Sequence, residues 1–278
     1  MSSNLEIASS FIQGAPPGEL ADIVADIKAL TPEGPSLISS LAPAFEKYNE
    51  EQLATVKLPG SSEEVIVSAY NKLDDGRYFD VQSQTSFEFN HVTQKASSPQ
   101  SYVLDSQNSD FIKSLLKSLS VHAREHYPSC SYGVYPTDND TAAAILLVAN
   151  KYSPNNFWNG RYRSLYTVPA PGSGSDPTIT GTIHINVHYY EDGNVSLNTK
   201  KPISISVPSN SSADTIIKRI AAAERAQQLD LSEAFHRLAE GAFKGLRRQL
   251  PITRQKVEWE KVGGYRLGQD IGGGGKGR

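Results

Sequence analysis

A chain of 278 residues with 38% apolar content is long enough to bury a substantial core, and one large domain or two small ones are expected. Its single cysteine, Cys130, excludes an intrachain disulfide and any zinc site built on several thiolates. The formal net charge of −3 conceals an asymmetry: the 35 residues from Lys244 onward carry nine Lys or Arg against three acids, and the 243 before them carry eighteen against twenty-seven.

Met1 to Glu6 has no basic segment leading into an apolar stretch, and no run of about 18 apolar residues occurs, so neither secretion nor membrane spanning is expected. The N-terminal third reads as short helices. Leu20, Ile23, Val24, Ile27 and Leu30 recur at helical spacing between Pro16-Pro17-Gly18 and the prolines at 32 and 35. A second helical piece runs from Ser36 through Leu41, Phe45 and Tyr48, and Lys57 to Ser62 has loop composition. From Glu64 the period changes to two, with Val65 and Val67, Phe79 and Val81, and Phe87 and Phe89 marking strands separated by turns such as Asp74-Asp75-Gly76. Phe111, Leu115, Leu116, Leu119 and Ala123 restore the helical period until His126-Tyr127-Pro128 ends it.

The strongest sheet signal lies between Tyr132 and Val207. Ala142 to Ala149 is continuously apolar, which suits a strand covered on both faces, although periodicity alone does not separate that from a buried helix. Arg161 to Val168 follows as a strand, and Pro169 to Pro177 is a Gly, Ser and Pro loop. Thr178 to Tyr190 then alternates, with Ile183, Ile185, Val187 and Tyr189 on one face and His184, Asn186 and His188 on the other, as in a half-buried antiparallel strand. Glu191-Asp192-Gly193-Asn194 predicts a tight hairpin to Val195 and Leu197. Ser211, with Asp214 three residues on, predicts the cap of a helix of about thirty-five residues bearing Ile216, Ile217, Ile220, Leu231, Phe235 and Leu238. At about 1.5 Å per residue it would span roughly 50 Å, which invites a partner.

No catalytic constellation stands out. His184 and His188 mimic a zinc pair, but on a strand four residues span about 13 Å, too far for one metal. The glycines near Gly172 and after Gly272 lack the strand and helix that a phosphate cradle needs. The basic terminus is the binding candidate. Lys256, Lys261 and Arg266 alternate there with Trp259, Val262, Tyr265 and Leu267, the composition of a segment that docks in an acidic groove. A tail packed on its own domain, or an anionic-lipid or nucleic-acid patch, would use the same residues. Gly263-Gly264 costs about 1 kcal/mol of helix propensity per glycine, so the free segment should order mainly on binding.

Three stretches go beyond pattern: Asn156-Phe157-Trp158-Asn159-Gly160-Arg161-Tyr162-Arg163-Ser164, Val187-His188-Tyr189-Tyr190-Glu191-Asp192-Gly193-Asn194-Val195, and Leu246-Arg247-Arg248-Gln249-Leu250-Pro251-Ile252-Thr253-Arg254. With Ile7 to Ile12 and Ala15-Pro16-Pro17-Gly18-Glu19, the chain from about Ile7 to about Leu267 resembles the alpha subunit of the heterodimeric F-actin-capping protein. The resemblance implies an α+β fold with N-terminal helices, a central antiparallel sheet, a long C-terminal helix and a terminal amphipathic tentacle. On this sequence those regions fall at 1–60, 61–208 (with an inserted helix), 209–250 and 251–278, one compact domain plus a tail.

It also implies a function without catalysis or cofactor: calcium-independent capping of the barbed ends of actin filaments, without severing, as an obligate heterodimer with a beta subunit. The expected place is the cytoplasm and its cortical actin cytoskeleton. The family's basic contacts fall on Lys244, Arg248 and Arg254, joined by Lys256 and Arg266, and its apolar anchors on Trp259, Val262, Tyr265 and Leu267. Phosphoinositide lipids would meet the same cations; nucleic acid is not an expected partner. The alternative is an anionic-lipid-responsive adaptor using this tail. Gly263-Gly264 and the glycine-rich end from Gly272 depart from the family pattern and weaken the expected tentacle helix.

Overall fold

The computed structural model describes residues 2–31, 34–62, 64–127, 129–172, 177–191, 193–238 and 240–241. The chain divides into two units, Met1–Ala223 and Glu224–Arg278. Four helices open the first: α1 (Ser2–Gln13), α2 (Leu20–Leu30), α3 (Gly34–Ser40) and α4 (Ala42–Glu51). They close on Ala8, Ile12, Leu20, Val24, Ile27, Leu41, Phe45 and Tyr48, a core of their own. The helical piece expected from Ser36 is two helices meeting at Leu41, because Pro43 favours the first turn of a new helix over the interior of an old one.

Two small sheets follow. One pairs β1 (Ala54–Lys57) with β2 (Glu64–Val67), and the other joins β3 (Tyr78–Asp80), β4 (Thr85–Asn90) and β5 (Lys95–Ser101). Strands β1 and β5 escape the period-two reading for different reasons. The former is only four residues long, and the latter carries Pro99 and is mostly exposed, as sheet edges tolerate.

The amphipathic helix α5 (Ser109–His126) buries Ile112, Leu115, Leu116, Leu119 and Ala123. Its start is held by the turn between the next two strands: Asp140 accepts from the Ser106 hydroxyl and the Gln107 amide, each at 2.6 Å. Asp138, Asn139 and Asp140 all adopt positive φ there, which these short polar side chains tolerate.

Five long antiparallel strands form the main sheet in the spatial order β10-β9-β8-β7-β6. They are β6 (Cys130–Thr137), β7 (Ala142–Ser153), β8 (Trp158–Pro169), β9 (Thr178–Tyr189) and β10 (Val195–Ser206). The apolar run at Ala142 is a strand, buried continuously from Ala142 to Val148 because both faces of the sheet are covered. Alternation places Val134, Ile145, Tyr166 and Ile179 on one face and Tyr135, Leu146 and Val148 on the other, and all belong to one core with α5 and with Ile66 and Phe79 of the small sheets. The β9–β10 connection is longer than the expected tight hairpin: Tyr189 pairs with Val195, so five residues intervene.

Helix α6 (Ala213–Leu238) carries 26 described residues, and Ile216, Ile217 and Ile220 enter the main core. Its cap is Ser212 rather than Ser211, since the Ser212 hydroxyl takes the Thr215 amide at 3.2 Å. The second unit begins within this helix.

Candidate functional site

Strand β10 has one hydrogen-bonded neighbour, β9, among the described residues. Its outer edge therefore offers the unpaired main-chain donors and acceptors of alternate residues along a twelve-residue strand, and its side chains are exposed or half-buried along the whole length. Long open edges are templates for pairing with another chain. Lys200 and Lys201 sit on this one, which discourages indiscriminate pairing.

Beside the edge, sequence stretches far apart in the chain converge. Gly18 takes φ +81 against the Tyr152 ring, a conformation open to glycine, and sets Glu19 ahead of α2. Glu19 makes no side-chain cap to its own helix. Its Oε1 instead accepts from His188 Nδ1 at 2.7 Å and from Asn159 Nδ2 at 2.9 Å, and His188 Nε2 meets Asn194 Oδ1. The Tyr48 hydroxyl holds the same loop by donating to the Ala15 and Pro16 carbonyls at 3.2 and 3.3 Å. One clasp thus ties the N-terminal helices to β8, β9 and the β9–β10 connection.

Asn159, Arg161 and Arg163 alternate on β8 and so share the face that carries His184 and His188 of β9. Arg161 reaches Asn150 Oδ1 at 2.8 Å, the Tyr152 hydroxyl at 2.7 Å and Gln52 Oε1 at 3.3 Å. Arg163 donates to the Glu51 carbonyl and to Asn186 Oδ1 at 2.8 Å. Three of the stretches singled out in the sequence meet here, through Glu19, through Asn159 to Arg163, and through His188 and Asn194. Their arrangement is architectural: it fixes helices under the sheet.

His188 is 6% exposed and both its ring nitrogens face oxygen acceptors, which suits the imidazolium. Burial pulls its pKa down, but the hydrogen bonds to Glu19 and Asn194 outweigh that and leave it raised above 6.5. A pKa raised in the folded state stabilises fully below the unfolded value, and that contribution fades as pH climbs through the folded one. His188→Gln should therefore cost about 1–3 kcal/mol near about pH 6 and less near about pH 9. Urea midpoints at the two pH values check this, and an equal loss at both would show that the clasp works without its charge.

Among the described residues, no group of three or more His, Cys, Asp or Glu side chains is arranged to hold a metal. His184 and His188 lie on one strand, as expected, and His188 is committed to Glu19 and Asn194. Cys130 begins β6, half-buried beside Arg124 and Tyr127. No described helix is long and apolar enough to cross a membrane. The expected binding residues Lys244, Arg248, Arg254, Lys256, Trp259, Val262, Tyr265, Arg266 and Leu267 lie outside the described residues. Sequence reasoning missed the clasp, although Glu19, Asn159 and His188 all sit in stretches it had marked.

Among the described residues, then, a sheet edge without a second strand lies beside a polar clasp that sets helices beneath the sheet, and a basic segment follows in the sequence. The family model described as F-actin capping protein alpha subunit matches residues 8–270. Relatives named F-actin-capping protein subunit alpha are 71% identical over 278 residues in Emericella nidulans, with both chains fully covered, and 33% identical over 273 residues in Caenorhabditis elegans, covering 96% of each. A solved structure titled as the homodimeric actin capping protein alpha subunit from Plasmodium berghei superposes with a TM-score of 0.72 at 20% identity, covering 87% of this chain and 94% of that one, and so shares its fold. The chain belongs to the F-actin capping protein alpha subunit family, a family of actin-capping proteins rather than of enzymes.

Proposed function

We propose that the chain is the alpha half of a heterodimer that caps the barbed ends of actin filaments, stopping subunit gain and loss without severing and without calcium. The observation that carries this reading is kinship along the entire length with proteins named for F-actin capping. The geometry supports it, because the β10 edge gives a second subunit a strand to pair with.

In this reading Lys244, Arg248 and Arg254, with Lys256 and Arg266, meet acidic side chains of the terminal actin, and Trp259, Val262, Tyr265 and Leu267 anchor in a cleft beyond them. The cations steer the encounter, so capping should slow as salt rises. The same cations would meet phosphoinositide headgroups, making lipid and filament end competitors for one surface in the cortical cytoplasm.

The test is elongation of pyrene-labelled actin from seeds with the purified heterodimer, with and without a calcium chelator. Barbed-end growth should stop in both conditions. Unimpeded growth at about micromolar protein, with binding to anionic vesicles retained, would favour the lipid-responsive adaptor instead.

A further inference from the structure

Arg163 of β8, His184 of β9 and Lys200 of β10 stand in one cross-strand row, Arg163 opposite His184 and His184 opposite Lys200. Side chains so placed lie about 5 Å apart, and like charges there repel. The row lines a cleft of about 770 Å³ whose other wall is α4, with Glu46, Glu50 and Glu51. Those acids have other partners. Glu46 and Glu50 pair with Lys72, Glu50 also accepts from the Tyr78 hydroxyl at 2.7 Å, and Glu51 stands 4.0 Å from Lys47.

The row has less compensation: burial and Arg161 oppose the charge of Arg163, while the Glu51 carboxylate favours it. Arg163 is 7% exposed, its terminal nitrogens are bonded, and its buried Nε has no acceptor among the described residues. Lys200 is exposed and forms no ion pair among the described residues. Burial, then Arg163 and Lys200, hold His184 down to about 4, and burial with Arg161 beside it brings Arg163 down to about 10. In both, burial is the larger cause and a neighbouring cation adds to it.

We propose that the outer end of this row is the seat of a carboxylate from the second subunit, an Asp or Glu that pairs with Lys200 when the partner closes over β10. The inference rests on the heterodimer reading above. Two features favour a partner segment over a small anion. Lys200 belongs to the open edge itself, so whatever pairs with β10 sets its own side chains in the same row. Lys200 is also exposed and has no ion pair among the described residues, whereas the acids across the cleft are engaged with Lys72, Tyr78 and Lys47.

The test uses the chain co-purified with its second subunit. A zero-length carbodiimide joins a lysine amine to a touching carboxylate, and peptide mass spectrometry locates the link. The expected product joins Lys200 to an Asp or Glu of the second subunit and is lost in Lys200→Arg. Lys200→Glu should weaken the complex about tenfold or more, and Lys201→Glu, on the opposite face of the strand, should do less. A Lys200 link to Glu51 of the same chain or to another copy of it, or wild-type affinity in Lys200→Glu, would overturn the assignment while leaving the heterodimer standing. So would protection of Lys200 by inorganic phosphate with no partner link. Failure of any second subunit to co-purify would bring down the heterodimer reading, and this inference with it.

Discussion

Reversing two charges, Lys244→Glu with Arg248→Glu, is expected to weaken barbed-end binding by the heterodimer about a hundredfold or more, and Trp259→Ala by about tenfold. The first change does more than delete attraction. It sets two carboxylates against acidic side chains on the proposed actin surface, so each position passes from a favourable contact to an unfavourable one.

In the proposed reading Trp259 would bury a large ring in the actin cleft, but part of what that contributes is offset. The arm around it contains Gly263-Gly264, each costing about 1 kcal/mol of helix propensity, and a segment that orders on binding spends free energy on that ordering. Dilution series of each heterodimer in the pyrene-actin assay, at two ionic strengths, separate the contributions. The double reversal should also flatten the salt dependence, whereas Trp259→Ala should leave it intact. A larger loss from Trp259→Ala would make the apolar anchors primary.

The second large effect is on folding. Gly181 of β9 lies opposite Tyr166 of β8, and that ring, 1% exposed, lies over the glycine. A Cβ at Gly181 would stand 2.3 Å from Tyr166 Cδ1 and 2.4 Å from the Leu165 carbonyl oxygen. A rotamer change of the ring would not be enough, because the Leu165 carbonyl blocks the same place and a main-chain atom inside the sheet moves only with its strand. Gly181→Ala should therefore cost about 3 kcal/mol or more, at the upper end of overpacking effects. Thermal or urea unfolding of the purified complex measures it. Gly160→Ala, where a Cβ would meet the Trp158 ring at 3.4 Å and nothing closer, is the matched control and should cost far less. Equal losses would show that the price is glycine's strand entropy and not the clash.

Much of the fold is legible in the residues because its elements obey local rules. Leu20 to Leu30 and Phe111 to Ala123 place apolar side chains at helical spacing between prolines and polar caps, and both regions are helices. Thr178 to Tyr189 alternates, and is a strand. Local rules fail where a segment is short or where one residue shifts a boundary, as with β1, with the break at Leu41 and with the cap at Ser212 rather than Ser211. The basic terminus is visible as charge density and as a run of family residues, because both are properties of composition and residue order.

By itself, then, the sequence determined the α+β class, the family and the basic segment proposed to bind, all properties carried by neighbouring residues or by residue order. Only the tertiary structure decided what Glu19, His188 and Arg163 do. Glu19 and His188 are 169 positions apart, yet Oε1 and Nδ1 meet at 2.7 Å, and no periodicity records a pairing made by folding a helix beneath a distant strand. The same holds for the row from Arg163 to Lys200. Its two cations and the histidine between them are scattered in sequence and become one site because antiparallel register aligns them beside the β10 edge.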